Sequence, residues 1–140
     1  MKRFLIVVLL ALLVGGGLAF YVFSRDNSFF DEMVSVKAFQ VGAFTSYDNA
    51  VKVADRNNGI VVNDDGIYRV YVAILSDGEA IEKMKSYYDD IGLNYYLKEI
   101  SVSKSFLDSI KNSEELLVDS SRDAYKVINL SVIRKYEEML

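Results

Sequence analysis

Two segments of the chain repeat a similar pattern about thirty residues apart. The first runs from Phe39 to Ala50, and a weaker copy runs from Val70 to Ala80. Aligned with a one-residue gap, the copies match at three pairs of positions: Val72 with Val41, Leu75 with Phe44, and Ala80 with Ala50. Such a repeat indicates two copies of one supersecondary unit, each a strand that turns into a helix, around a shared core.

The hydrophobic pattern around this repeat predicts four strands and two helices. Strands are predicted at 35–44, 60–63, 67–75 and 93–102, where apolar residues alternate with polar ones or fill short runs. Helical spacing follows Ser46 and Asp77, which are typical N-cap residues, and Asp65-Gly66 is a strong hairpin signal. The order β-α-β-β-α-β is that of a ferredoxin-like α+β fold, in which two helices cover one face of a four-stranded antiparallel sheet. The first and third strands are central in it.

The alternation of side chains along a strand also assigns residues to the two faces of the sheet. The residues predicted to lie against the helices include Val41 on the first strand and Tyr68, Val70, Val72 and Ile74 on the third. The residues predicted to lie on the opposite, solvent-facing side include Gln40 and Gly42 on the first strand and Arg69 and Tyr71 on the third. By the repeat, Tyr71 takes the place in the third strand that Gln40 has in the first.

Composition removes several classes of function. The 140 residues include no cysteine, histidine or proline, and the formal net charge is −4. Thiol nucleophiles, Ser-His triads and the usual zinc ligand sets are therefore excluded, and an acidic chain is an unlikely partner for nucleic acid. Three acidic doublets could suggest a glycosidase, but a hairpin explains the first and helix surfaces explain the others: Asp64-Asp65, Asp89-Asp90 and Glu114-Glu115. We predict no enzyme activity, no catalytic residue, no metal site and no cofactor.

The N-terminus carries a membrane signal. Residues Phe4 to Phe23 form an uncharged run of twenty, preceded by Lys2 and Arg3. As a helix the run would be about 30 Å long, which matches the hydrocarbon core of a bilayer. We therefore predict a transmembrane anchor at 1–24, a short linker at 25–33, a cytoplasmic N-terminus and an extracytoplasmic remainder. The alternative is a signal peptide cleaved after Gly17-Leu18-Ala19.

Residues 103–140 follow the repeat region and carry two amphipathic helical patterns, the second capped by Ser120 or Ser121. Three arrangements remain open for this extension. The helices could pack onto the domain, bind a partner or a second copy, or fold over the solvent-facing side of the sheet and bury it.

The motif Phe39-Gln40-Val41-Gly42-Ala43-Phe44, followed by Asn49-Ala50, resembles the SPOR (sporulation-related repeat) domain. Tyr68-Arg69-Val70-Tyr71-Val72 resembles the start of the family's second half, and the similarity covers about residues 35–102, within a predicted SPOR-like domain at 34–102. Ala73-Ile74-Leu75 departs from the family, which commonly has a Gly-Pro-Phe-like turn there. The resemblance implies a non-catalytic domain that binds peptidoglycan glycan strands without stem peptides. Many members are single-span proteins of the bacterial cell membrane that act in division or sporulation.

The resemblance places the ligand on the solvent-facing side of the sheet. The glycan-binding residues it implies there are Gln40, Gly42, Arg69, Tyr71, Tyr96 and Lys98. Gln40 and Arg69 would bind polar groups of the sugars, Gly42 would allow close approach, and Tyr71 would stack on a sugar ring. Arg69 could instead pair with a carboxylate such as Glu99. The alternative function is a protein-interaction module of a membrane-associated assembly that has lost the sugar site and uses the C-terminal helices.

Overall fold

The computed structural model describes residues 31–140. Within this range four strands, β1 to β4, and four helices, α1 to α4, follow one another along the chain. The strands are β1 Met33–Phe44, β2 Ile60–Asp64, β3 Ile67–Leu75 and β4 Tyr96–Ser103. The helices are α1 Tyr47–Asn57, α2 Gly78–Asp90, α3 Lys104–Asp119 and α4 Arg122–Glu137. The strands form one antiparallel sheet in the order β2-β3-β1-β4, so the predicted βαββαβ order, with the first and third strands central, is confirmed.

The predicted span at Phe4 to Phe23 and the alternative cleavage site lie outside the described residues. Between residues 31 and 140, no helix is both long enough and apolar enough to cross a bilayer.

Local side-chain chemistry sets the ends of α1, α2 and the β2–β3 hairpin. The side chains of Ser46 and Asp77 each accept a hydrogen bond from the backbone N–H three residues later, as N-cap residues do. In the hairpin, Asp65 and Gly66 have φ angles of +51° and +83°, a conformation that aspartate tolerates and glycine adopts freely. These three predicted signals are confirmed.

Helices α1 and α2 cover one side of the sheet, which we call the helical face. Val70 packs there with Ala50 and Ala54 of α1, and Val72 belongs to the cluster that contains Ala80 and Met84 of α2. Val41 packs against both clusters. The predicted placement of the three valines against the helices is therefore confirmed.

The pairing of β1 with β3 contains two register shifts. At the first shift, Phe39 of β1 pairs with Ala73 of β3, but the next residue, Gln40, pairs with Tyr71, which leaves Val72 as an extra residue. One extra residue reverses the alternation of side chains along the strand. Ile74 therefore lies in the core cluster of the opposite side, which we call the second face, and the prediction that it shares a face with Val72 is wrong.

The second shift lies between Gln40 and Gly42 and leaves Val41 as the extra residue. Gly42 pairs with Val70, and directly paired residues point to the same side, so Gly42 lies on the helical face. The prediction that Gly42 belongs to the ligand-binding side is wrong. A Cβ atom at Gly42 would lie 2.5 Å from Cε2 of Phe44, so the missing side chain leaves room for that aromatic ring.

The C-terminal helices pack onto the second face of the sheet. Phe106 and Ile110 of α3, with Val132 and Ile133 of α4, share a core with residues of all four strands: Val36, Ala38, Ile60, Tyr71, Ile74 and Val102. The first of the three arrangements left open by the sequence, packing onto the domain, is therefore confirmed. The third arrangement, in which the helices bury the solvent-facing side of the sheet, also holds for part of the second face, because this core includes Tyr71.

Helix α4 crosses an edge of the sheet where β3 extends past β2. Strand β2 pairs with β3 only as far as Tyr71, which leaves the Val72 carbonyl available on that side. The Asn129 side chain of α4 donates a hydrogen bond of 2.6 Å to this carbonyl, and the Tyr88 hydroxyl of α2 donates another of 3.3 Å. Because α4 contacts α2 through Tyr125 and also covers the second face, it joins the two sides of the sheet.

Helix α3 also anchors the start of α2. The Glu114 side chain is only 4% exposed, and its carboxylate accepts hydrogen bonds from Ser76 N at 2.5 Å, Ser76 Oγ at 2.8 Å and Asp77 N at 3.1 Å. A negative charge at a helix N-terminus is stabilised by the unpaired N–H groups there. The prediction that this acidic residue belongs to a helix surface is wrong.

Candidate functional site

The second face carries a group of hydrogen-bonded polar side chains beyond the part that α3 and α4 cover. We call it the polar patch, and it consists of Gln40, Asp64, Arg69 and Lys98. Arg69 Nε donates to Asp64 Oδ2 at 2.5 Å, and Lys98 Nζ donates to the same oxygen at 3.0 Å. Arg69 Nη1 donates to Gln40 Oε1 at 3.4 Å. The patch therefore joins side chains from all four strands.

The contact between Asp64 and Lys98 reveals the shape of the sheet. These residues lie on β2 and β4, the two edge strands, which are separated by three strand spacings or about 14 Å in a flat sheet. Their side chains nevertheless form an ion pair. The sheet is thus curved toward the second face, and the two register shifts beside Gln40 lie between the two edges, where such irregularities increase bending and twist.

Asp64 is held in its charged form. Hydrogen bonds from Arg69 and then Lys98 are the largest causes that lower the pKa of Asp64 below its ordinary value of 3.8. Its carboxylate is an acceptor for two cations at neutral pH. The patch therefore contains two positive charges and one negative charge.

An exposed aromatic side chain borders the patch. Tyr96, the first residue of β4, pairs directly with Gln40 and is 66% exposed. Paired residues share a face of the sheet, so the Tyr96 ring and the Gln40 amide lie on the same side. The arrangement offers a flat apolar surface beside planar polar groups.

Tyr71 has a different role from the one predicted. It pairs with Gln40 on the second face, as expected, but it is only 3% exposed. The core around it includes Val132 and Ile133 of α4, and burial raises the pKa of its hydroxyl. The prediction that Tyr71 presents its ring to solvent is wrong, because the C-terminal extension covers this position.

The structure brings four of the six predicted residues together on the open part of the second face: Gln40, Arg69, Tyr96 and Lys98. Gly42 and Tyr71 are not available there, and the binding roles of the other four stay predictions. Sequence reasoning missed Asp64, although the alternation of Ile60, Val62 and Asp64 along β2 indicates its face. Arg69 pairs with Asp64 rather than with Glu99, which binds Lys37 and Ser35. In residues 31–140, no group of three or more acidic side chains could hold a metal ion.

No family model matches the chain, and no curated protein matches it. A solved structure that is similar to it is the solution structure of the peptidoglycan binding domain of the B. subtilis cell wall lytic enzyme CwlC. The sequence identity is 23%, the TM-score is 0.40, and the match covers 50% of this chain and 92% of that chain.

Proposed function

We propose that the domain binds glycan strands of peptidoglycan without catalysis, through three residues of the polar patch, Gln40, Arg69 and Lys98, together with Tyr96. The observation that supports this function best is the position of an exposed tyrosine directly across from Gln40, whose side-chain oxygen accepts a hydrogen bond from the guanidinium of Arg69. This site keeps four of the six residues predicted from the sequence. Gly42 and Tyr71 do not belong to it, because Gly42 lies on the helical face and Tyr71 belongs to the core.

These groups suit the chemistry of an amino-sugar polymer. A tyrosine ring provides a flat apolar surface for the C–H groups of a sugar ring, and its hydroxyl can bond at the edge. The Gln40 amide both donates and accepts hydrogen bonds, which suits hydroxyl and acetamido groups. Arg69 presents several donors in a fixed plane, and its contact with Gln40 orients both side chains.

The proposal is for binding alone. Glycoside hydrolysis requires one carboxyl group that donates a proton and a second that acts as base or nucleophile. Asp64 is held as an anion by Arg69 and Lys98, which suits hydrogen-bond acceptance and opposes proton donation.

We also propose that the chain is a single-pass protein of the cell membrane, with this domain on the extracytoplasmic side. The uncharged run at Phe4 to Phe23, with Lys2 and Arg3 before it, supports the anchor and its orientation. Together with the SPOR resemblance, this supports a role at septal or remodelled cell wall in division or sporulation, alongside the proteins of that process.

The direct test is sedimentation of the full chain with purified sacculi, before and after an amidase removes the stem peptides. Tyr96→Ala and Lys98→Gln are expected to weaken retention on amidase-treated sacculi by at least about ten-fold together, at unchanged thermal stability. Two matched controls change the same residue types elsewhere. Tyr47→Ala alters an exposed tyrosine of α1, and Lys37→Gln alters a strand lysine paired with Glu99. Equal retention by the patch variants and the controls would refute the proposal.

A protein-interaction function is the second candidate, and exposed apolar residues on the C-terminal helices favour it. Leu116 of α3 and Val127 of α4 are 57% and 71% exposed. Substituting serine at both positions would leave the buried core untouched. Loss of a co-purifying membrane partner in this variant, with sacculus binding absent in the wild type, would favour the interaction function over glycan binding.

A further inference from the structure

Asp64 contacts both cations of the polar patch through a single oxygen. Arg69 Nε and Lys98 Nζ both donate to Oδ2, and the carboxylate comes from β2 while the two cations come from β3 and β4. A carboxylate between an arginine and a lysine is also what a bound acidic sugar would supply. Asp64 thus occupies the position in the patch that best suits an anionic group of a ligand.

The β2–β3 hairpin does not explain the orientation of the Asp64 side chain. The turn is closed by Asn63, whose Oδ1 accepts a hydrogen bond of 3.0 Å from Gly66 N. The positive φ angles belong to Asp65 and Gly66. Residue 64 is the last residue of β2, and its carboxylate points to the patch instead of the turn.

We propose that Asp64 is an internal counter-ion that sets the charge selectivity of the glycan site, an inference that rests on the proposed function. By neutralising one of the two cations, Asp64 reduces the affinity for glycan units that carry a free carboxylate. It leaves the affinity for neutral amino-sugar units unchanged.

The expected size of this effect follows from Coulomb's law. A ligand carboxylate that contacts Arg69 or Lys98 would lie about 5 Å from the Asp64 carboxylate, because both groups share the same donors. Asp64 is 46% exposed, so the dielectric constant of water is the appropriate one. At about 5 Å in water, the repulsion between two unit charges lowers the affinity about four-fold. Because the groups are exposed, salt screens this repulsion.

The selectivity is tested with two forms of one ligand and two isosteric variants. The ligand is amidase-treated glycan, either with its free carboxylates or with these carboxylates converted to neutral amides. Asp64→Asn removes the internal carboxylate. Glu99→Gln is the matched control, since it removes the same charge from a strand carboxylate that pairs with Lys37 on the helical face.

At low salt, Asp64→Asn is expected to bind the carboxylate form about four-fold more tightly than the wild type and the amidated form equally well. The gain is expected to disappear at about 1 M salt, and Glu99→Gln should change neither affinity. Equal changes for both ligand forms, or weaker binding of both, would overturn the inference and leave glycan binding intact. A folded wild-type chain that binds neither form would instead refute the proposed function, and the inference with it.

Discussion

Replacement of Tyr71 separates a structural role for this residue from a ligand-binding role. The side chain is 3% exposed and lies in a cluster with Ile60 of β2 and with Val132 and Ile133 of α4. Removal of a buried aromatic ring costs about 3–5 kcal/mol, which is a large part of the 5–15 kcal/mol that stabilises an ordinary domain. At about 4 °C per kcal/mol, Tyr71→Ala should lower the melting temperature by at least about 12 °C. A solvent-facing Tyr71, as the sequence predicts, would make this loss of stability small.

The assay is unfolding of the full chain by urea and by heat, monitored by far-ultraviolet circular dichroism. Sacculus binding is measured at a temperature below the unfolding transition. Tyr71→Phe keeps the ring and should cost less than about 1.5 kcal/mol without loss of binding. Tyr96→Ala, on the exposed part of the same face, should change stability by at most about 0.5 kcal/mol. If Tyr71→Ala proved as stable as Tyr96→Ala while losing glycan binding, the placement of α4 over Tyr71 would be refuted.

Three other side chains give distinct expectations. Glu114→Ala removes the acceptor of three hydrogen bonds and should lower the free energy of unfolding in urea by about 3 kcal/mol. The control, Glu115→Ala on the surface of the same helix, should lower it by at most about 0.5 kcal/mol. Equal costs for the two variants would contradict the anchoring of α2. Asn129→Leu removes the hydrogen bond to the Val72 carbonyl, which keeps the Tyr88 hydroxyl as a donor. It also removes Oδ1, an oxygen that accepts no hydrogen bond from residues 31–140, so the net cost should be less than about 1 kcal/mol. Asn129→Asp buries an unpaired charge and should cost more than about 3 kcal/mol at neutral pH; the reverse order would refute this account. Because the pKa of Asp64 is lowered in the folded state, the stability of the wild type relative to Asp64→Asn should be constant above about pH 4. It should shrink as the pH falls through the lowered pKa, and an advantage that grows in acid would contradict the ion pairs.

The secondary structure could be predicted because its signals are local. An N-cap such as Ser46 or Asp77 acts on N–H groups within one turn, and the Asp65-Gly66 hairpin depends on two backbone conformations. Neither requires knowledge of distant residues. Strand β3 was predicted with its observed bounds, Ile67–Leu75, for the same reason.

The face of each residue could be predicted only up to the register shifts. Arg69 and Tyr71 precede the extra residue of β3 and lie on the predicted face, whereas Ile74 follows it and does not. The predicted face of Gly42 on β1 is wrong for the same reason, because Gly42 follows the extra residue Val41. The hydrophobic pattern of a strand contains no mark of an extra residue, because the bulge is defined by the pairing of two strands.

The burial of Tyr71 could not be predicted because it depends on residues more than fifty positions away. The amphipathic pattern of 122–137 indicates that α4 buries a stripe, but the pattern is the same whatever the stripe packs against. Asp64 illustrates the opposite case. Its face follows from alternation along β2, yet the neighbouring turn offered a simpler explanation for an aspartate there.

The path of α4 around the sheet edge determines which segment of this chain could be transferred to another protein as a folded unit. The repeated strand-helix units alone end at Ser103, and without α3 and α4 they would expose an apolar second face together with an unpaired stretch of β3. Such surfaces favour self-association over solubility. A graft of the proposed binding function onto another protein would therefore have to carry Met33 through Glu137, because α3 and α4 complete the core that the repeated units leave open on the second face.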